Sequence, residues 1–314
     1  MKGSAILPVV LAVLLCSSCT HKDLIFEIGN VITVRFDWSD CPSASPESMR
    51  LAVFGNDAQP VFFPANGHES VEVELGFGRY QFISYNSDTE VLHSRGYSWD
   101  TFEIFTKEAE EGAFARIFNT RSIVLPRARG TEDESFIEEP DPLWVSTADK
   151  VNVPGSNVTM RMKSAIVNYN FTISNVENLS NIRTMAATIS GMSESYLPVE
   201  GRCSETYCTI PFIINQTGES TIAGSVRTFG YWRGGSYDMH KLVVYVETID
   251  GTKVYYTFDV TAVLEKADES INGSGDVDVD VEIKNLPIPE PIYNGSGLHP
   301  LVDVWQEVEI EIDL

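Results

Sequence analysis

Several stretches of this chain alternate strictly between apolar and polar side chains. A strict period of two fits an extended strand with one wet and one dry face, because successive side chains point to opposite sides. In VITVRFDW, residues 31–38, the side chains of Ile32, Val34, Phe36 and Trp38 share one face, opposite Val31, Thr33, Arg35 and Asp37. ESVEVEL at 69–75 repeats the pattern with Val71, Val73 and Leu75 inward. DVDVDVEI at 276–283 and WQEVEIEIDL at 305–314 pair acid with aliphatic residues in the same way. Further strands are expected at 49–54, 61–63, 79–85, 160–173, 184–189, 206–214, 221–229, 241–248 and 253–260. Only 101–111 has modest helical character.

The punctuation between these runs suits tight turns. Asp250-Gly251 lies between two apolar runs as a hairpin turn. Gly76-Phe77-Gly78 predicts a hairpin joining 69–75 to 79–85. Many short strands with almost no helical period predict an all-β protein of two tandem β-sandwiches. The polar, Pro- and Gly-marked NVPGSN sets the expected boundary, giving sandwiches at 31–150 and 151–314. The charged, proline-bearing run 121–141 is expected to be a surface loop late in the first sandwich.

The first thirty residues follow another rule. A basic start at Lys2, an apolar run from Ile6 to Leu15 and small residues after it form a secretory signal. That run is about half the roughly 20 residues needed to cross a bilayer. Cys16-Ser17-Ser18-Cys19 resembles a bacterial lipobox, with Cys16 where Leu is commoner. The resemblance implies cleavage after residue 18, acylation of Cys19, and a lipid-anchored linker over 19–30 in the outer membrane. Two or three acyl chains anchor firmly where one does not. A redox reading of this C-x-x-C would need a βαβ pattern beside it.

Charge excludes some partners. The chain has 45 acidic and 22 basic residues, and Lys2 leaves with the signal, so the mature excess is 24 negative charges. Such a surface does not attract nucleic acid or anionic lipid heads. Three further cysteines remain, Cys41, Cys203 and Cys208. Cys203 and Cys208 are close enough in sequence for a disulfide, and free thiols are the equal alternative.

Motifs for catalysis are missing. No His pair has metal-ligand spacing, no G-x-S-x-G occurs, and Asp276-x-Asp278-x-Asp280 has Val281 where a calcium loop needs Gly. The expectation is a protein without enzymatic activity, cofactor or metal. Two features point to interactions. FGYWRGGSY at 229–237 is an aromatic loop on which Tyr231, Trp232 and Tyr237 would stack against sugars, unless it folds back on the sandwich. The strand from Trp305 to the last residue is either paired at home or offered to a neighbour.

The residues resemble a family of Bacteroidales lipoproteins. The likeness is carried by VRFDW at 34–38, YNSDTE at 85–90, SWDTFEIFT at 98–106, RGTEDE at 129–134 and DPLW at 141–144. SNVENLSNI at 174–182, YYTFDVT at 255–261, LPIPEPI at 286–292 and VDVWQEVEIEI at 302–312 extend it. The layout is similar to the fimbrillin superfamily, above all to the lipoprotein anchors of fimbriae. That resemblance implies two transthyretin-like sandwiches, a place at the cell surface, and assembly by donated strands with fimbrial subunits. Surface glycans are the alternative partner. Fimbrillins that polymerise lose their first strand to an Arg-directed protease. Arg127-Ala128-Arg129 lies too late to release that strand, so the expected likeness is to an uncut anchor.

Overall fold

The computed structural model describes residues 30–55, 59–118, 125–155, 157–233, 240–268, 277–291 and 304–310. The alternation of the first run is realised directly. In the strand Asn30–Asp37, Ile32, Val34 and Phe36 are buried. That strand is the middle of a three-stranded sheet, between Val158–Arg161 and Ser70–Leu75. Facing it is a five-stranded sheet in the order Lys163–Ser164, Trp144–Val153, Gly78–Asn86, Ser48–Phe54, Val61–Asn66. Met49, Leu51, Val53 and Phe82 meet Val71, Val73 and Leu75 in the shared core. Each such side chain contributes roughly 1.5–3 kcal/mol by leaving water.

One expectation fails here, because strands which follow one another need not share a sheet. Ser70–Leu75 pairs with Asn30–Asp37, whereas Gly78–Asn86 pairs with Ser48–Phe54. Gly76-Phe77-Gly78 therefore carries the chain across the core from one layer to the other and is not a hairpin tip. Strand pairing also continues across residue 150. Trp144–Val153 runs through it, and Val158–Arg161 lies parallel to the first strand. The first sandwich thus ends at Ser164, where the pairing of Lys163–Ser164 with Trp144 and Val145 stops.

The second sandwich begins with Val167–Glu177. Its four-stranded sheet runs Ile214–Gln216, Ile222–Thr228, Val167–Glu177, Val277–Pro287. The opposing six-stranded sheet runs Trp305–Ile310, Lys253–Asp259, Lys241–Thr248, Ile182–Ser193, Tyr207–Phe212, Ser135–Phe136. Gly251, at φ +87°, makes the expected tight turn between Thr248 and Lys253. Seven of the eight residues of Lys241–Thr248 are buried, so this strand is covered on both faces. On the outer face the covering comes from the helix Glu111–Ala115 and from Phe118, Leu125 and Ala128, which pack on Ala186, Val243 and Tyr245. Tyr245 fixes this cover by donating its hydroxyl to the Pro126 carbonyl at 2.6 Å.

The segment expected as a loose surface loop therefore has a structural task. Thr131 and Ile137 are buried, and Ser135–Phe136 adds to the edge of the six-stranded sheet beside Cys208 and Thr209. The Glu134 carboxylate accepts the backbone N–H of Gly191 and, at 2.8 Å, the Thr209 hydroxyl. The helical expectation over 101–111 also changes. Glu103–Thr106 is a strand that pairs across the junction with Ser195–Leu197, and the helix begins only at Glu111. This small shared sheet covers an apolar cluster of Phe54, Ile83, Phe102, Ile104, Ile166 and Phe229, which fuses the two sandwiches.

Candidate functional site

Sheet edges are where a β-protein can accept or donate a strand, because their outer N–H and C=O groups are unpaired. The edges of this protein follow a pattern. Four parallel strand pairs occur among the described residues, and each of them attaches an edge strand. The inner strands are antiparallel neighbours. Val158–Arg161, Val277–Pro287, Ser135–Phe136 and Trp305–Ile310 each arrive from a distant part of the chain to close a sheet.

Trp305–Ile310 is the one of these four strands with no buried residue among those described. It lies parallel to Lys253–Asp259 with six residue pairs, from Lys253 with Trp305 to Phe258 with Ile310. Its alternation works as the sequence predicts. Val308 and Ile310 face the second core but are only half-buried. Gln306 on the same face is exposed at the strand's start, and Glu307 on the other face is exposed too. Trp305 turns to the outer face, edge-on to Phe118 at 5.2 Å and to Tyr245 at 5.5 Å between ring centroids. Its indole N–H is buried without an acceptor among the described residues. A strand at the margin of a sheet, with half-buried anchors, is the kind of element that opens locally before the rest of the fold. Home pairing is thus observed, and the pairing is marginal.

The neighbouring strand Lys253–Asp259 is by contrast firmly built. Tyr256 and Phe258 are fully buried, and the Tyr256 hydroxyl donates to the Pro287 carbonyl at 2.5 Å. Burial pushes the Tyr256 hydroxyl far above its ordinary titration range, so it stays a donor. At the end of the strand the Asp259 carboxylate pairs with the Lys241 ammonium at 2.5 Å. It also accepts the Thr261 N–H that starts the helix Thr261–Asp268. The sequence reading missed this helix. Eight residues with Leu264 as the fully buried apolar anchor give too little periodicity to be seen.

The aromatic loop folds back instead of forming a platform. Tyr231 is buried in the second core, with its ring 4.3 Å from that of His240. Trp232 has one face covered by the Arg202 guanidinium at 4.1 Å. Tyr237 lies outside the described residues, as does Cys19. Tyr231 is therefore withdrawn from the surface, while Trp232 is half-buried with one ring face taken by Arg202. Cys41, Cys203 and Cys208 form no disulfide among the described residues. Burial raises the Cys208 thiol well above its ordinary value and raises Cys203 as well, which leaves both protonated and unreactive.

Fold and edges together define a class: a tandem β-sandwich protein whose sheets are closed by parallel strands from distant parts of the chain. The chain belongs to the family described as Domain of unknown function (DUF5119), whose sequence model matches residues 18–213. It is similar to a Bacteroides ovatus protein assigned, by inference, as fimbrium anchoring subunit Fim4B. The two are 24% identical over 207 residues, which cover 61% of this chain and 54% of that protein. The chain thus spans about half the length of the curated relative it matches. Among solved structures it resembles a Bacteroides ovatus protein assigned, likewise by inference, as an adhesin. There the TM-score is 0.60 at 19% identity, covering 88% of this chain and 99% of the other. It also resembles the fimbrial anchor protein Mfa2 from Porphyromonas gingivalis, with TM-score 0.51 at 12% identity over 82% and 90% of the two chains. At these identities the likeness concerns the fold.

Proposed function

We propose that this protein is a non-enzymatic fimbria anchor or adhesion-type subunit, tethered by an acylated Cys19 to the outer membrane and exposed at the cell surface. It joins a fimbrial neighbour by strand exchange at the edge where Trp305–Ile310 lies. The observation that carries this reading is the C-terminal strand itself, parallel and half-buried at the margin of the second core. A donated strand would satisfy the same backbone groups of Lys253–Asp259 and fill the same side-chain positions as Val308 and Ile310. The name of the Bacteroides ovatus relative and the fold of the Porphyromonas gingivalis anchor support the fimbrial assignment.

A disulfide lock tests the exchange. Val254 and Gln306 are register partners, and paired strands bring Cα atoms within the range a disulfide bridges. The double variant Val254→Cys, Gln306→Cys is expected to lose capture of fimbrial subunits from the same cell when oxidised and to regain it in reductant. Capture that is equal in both states would refute strand exchange at this edge. Mass spectrometry of the mature amino terminus tests the tether separately, with acylation expected on Cys19 and absent in Cys19→Ala.

A further inference from the structure

A cleft of about 370 Å³ opens where the first sandwich hands over to the second. Its volume lies within the roughly 300–1,000 Å³ of small-molecule sites. One wall is apolar, made by Pro142, Trp144 and Ile166. The other is a row built by strand register. Asn168 pairs with Arg227 on one neighbouring strand and with Asp278 on the other, so guanidinium, amide and carboxylate stand side by side on one face of the sheet.

This row is held in place from behind. The Asn168 amide donates to Asp278 at 2.7 Å and accepts from the Ser225 hydroxyl at 2.7 Å. The Arg227 Nε lies 3.0 Å from Glu139, whose carboxylate also accepts the Arg227 backbone N–H. The Nε contact is an ion pair without hydrogen-bond geometry. The terminal amino groups of Arg227 and the second oxygen of Asp278 have no partner among the described residues. Ser164 adds a hydroxyl at the margin. The cleft therefore offers donors and acceptors together with an aromatic and aliphatic lining.

We propose that this cleft binds a neutral saccharide of two or three sugar units. A pyranose ring has an apolar C–H face, which suits Trp144, Pro142 and Ile166, and a rim of hydroxyls that both donate and accept, which suits Arg227 and Asp278. Charge selects against acidic ligands. Arg227 is already matched by Glu139, so Asp278 leaves the cleft negative, within a chain whose formal net charge is −23. The site is distinct from the aromatic loop and does not use the exchanging edge, so it stands or falls apart from the assembly reading.

Isothermal titration of the full mature chain with cellobiose, maltose, lactose and their trisaccharides tests the proposal, with sialyllactose and digalacturonate as acidic controls. Binding of at least one neutral sugar at about 1 mM or tighter is expected. Asp278→Ala and Arg227→Gln should each weaken it about tenfold or more, which is the loss of one hydrogen bond to a charged group. Trp232→Ala should leave it unchanged, and thermal melts check that every variant is folded. The proposal is overturned if no neutral sugar binds at about 10 mM. It is equally overturned if both cleft variants bind as the parent does, or if the acidic sugars bind more tightly than the neutral ones.

Discussion

Val277–Pro287 and Trp305–Ile310 are written in nearly the same alphabet, and the structure gives them different fates. Both alternate acid with aliphatic residues, both come late in the chain, and both attach in parallel to an edge of the second sandwich. The first pairs at ten positions along Val167–Glu177, and Val279, Val281, Ile283 and Leu286 are buried to 3% exposure or less. Side chains reinforce it. Asn168 and Asn170 donate to Asp278 and Asp280, and Asn178 donates to the Ile288 carbonyl at 2.9 Å. The second pairs at six positions and leaves its aliphatic residues half-buried. Alternation states which side of a strand is dry, and the depth of burial depends on what the opposite sheet places over it.

The comparison breaks most visibly when a charge is put into each strand. Val281→Asp buries a carboxylate with no partner in the middle of the second core and should cost about 4 kcal/mol or more, a large share of a typical domain's stability. Val308→Asp, at a half-buried edge, should cost about 1–2 kcal/mol, because its carboxylate can reach water. Urea denaturation followed by near-UV circular dichroism measures both. If the two variants are equally damaging, the C-terminal strand is as integral as its neighbour and the exchange proposal loses its physical basis.

A finer probe uses the ring that holds the marginal strand. Trp305→Ala removes the edge-on contacts with Phe118 and Tyr245 and should cost about 2 kcal/mol. Trp305→Phe keeps a ring and deletes the buried N–H that lacks an acceptor, so it should be neutral to within about 1 kcal/mol. Hydrogen exchange provides the kinetic counterpart. Amides of Trp305–Ile310 should exchange well before those of Val279–Leu286, and Trp305→Ala should speed the first group without touching the second.

The fold class was legible because alternation is a local property. Strands such as Asn30–Asp37, Lys241–Thr248 and Lys253–Asp259 fall within one residue of where the sequence puts them. Which strands become neighbours was not legible. The Gly76–Gly78 link reads as a hairpin because a turn signal states that the chain reverses, not which sheet it enters next. The docking of 125–137 was hidden for a similar reason. Arg127, Glu134 and Glu111 look like a solvated charge run, yet Arg127 pairs with Glu111 at 3.2 Å, and Glu134 is spent on backbone and hydroxyl donors. The row Arg227–Asn168–Asp278 joins residues separated by 59 and 110 positions along the chain, and register alone brings them together.

The smallest expected effect lies beside the exchanging edge and depends on pH. Asp259 ends the strand that Trp305–Ile310 pairs with, and it faces Lys241. Partial burial opposes its ionised form, but the Lys241 ammonium and the Thr261 donors outweigh that, holding the carboxyl below its ordinary value of 3.8. A carboxyl with a lowered native pKa binds fewer protons folded than unfolded, so its stabilisation is present above 3.8 and fades as pH falls through the native value. The side chain is 57% exposed, so water screens the pair and the gain is about 0.5 kcal/mol at most. Asp259→Asn should therefore lie slightly below the parent in urea melts at neutral pH, with the gap closing below 3.8. The same variant frees the start of Thr261–Asp268 from one carboxylate cap, and that helix packs against Val277–Pro287 rather than against the C-terminal strand. A gap that closes in acid places the loss in the ionised carboxylate, shared between Lys241 and the Thr261 donors. A gap that persists unchanged into acid would show that the charge of Asp259 contributes nothing.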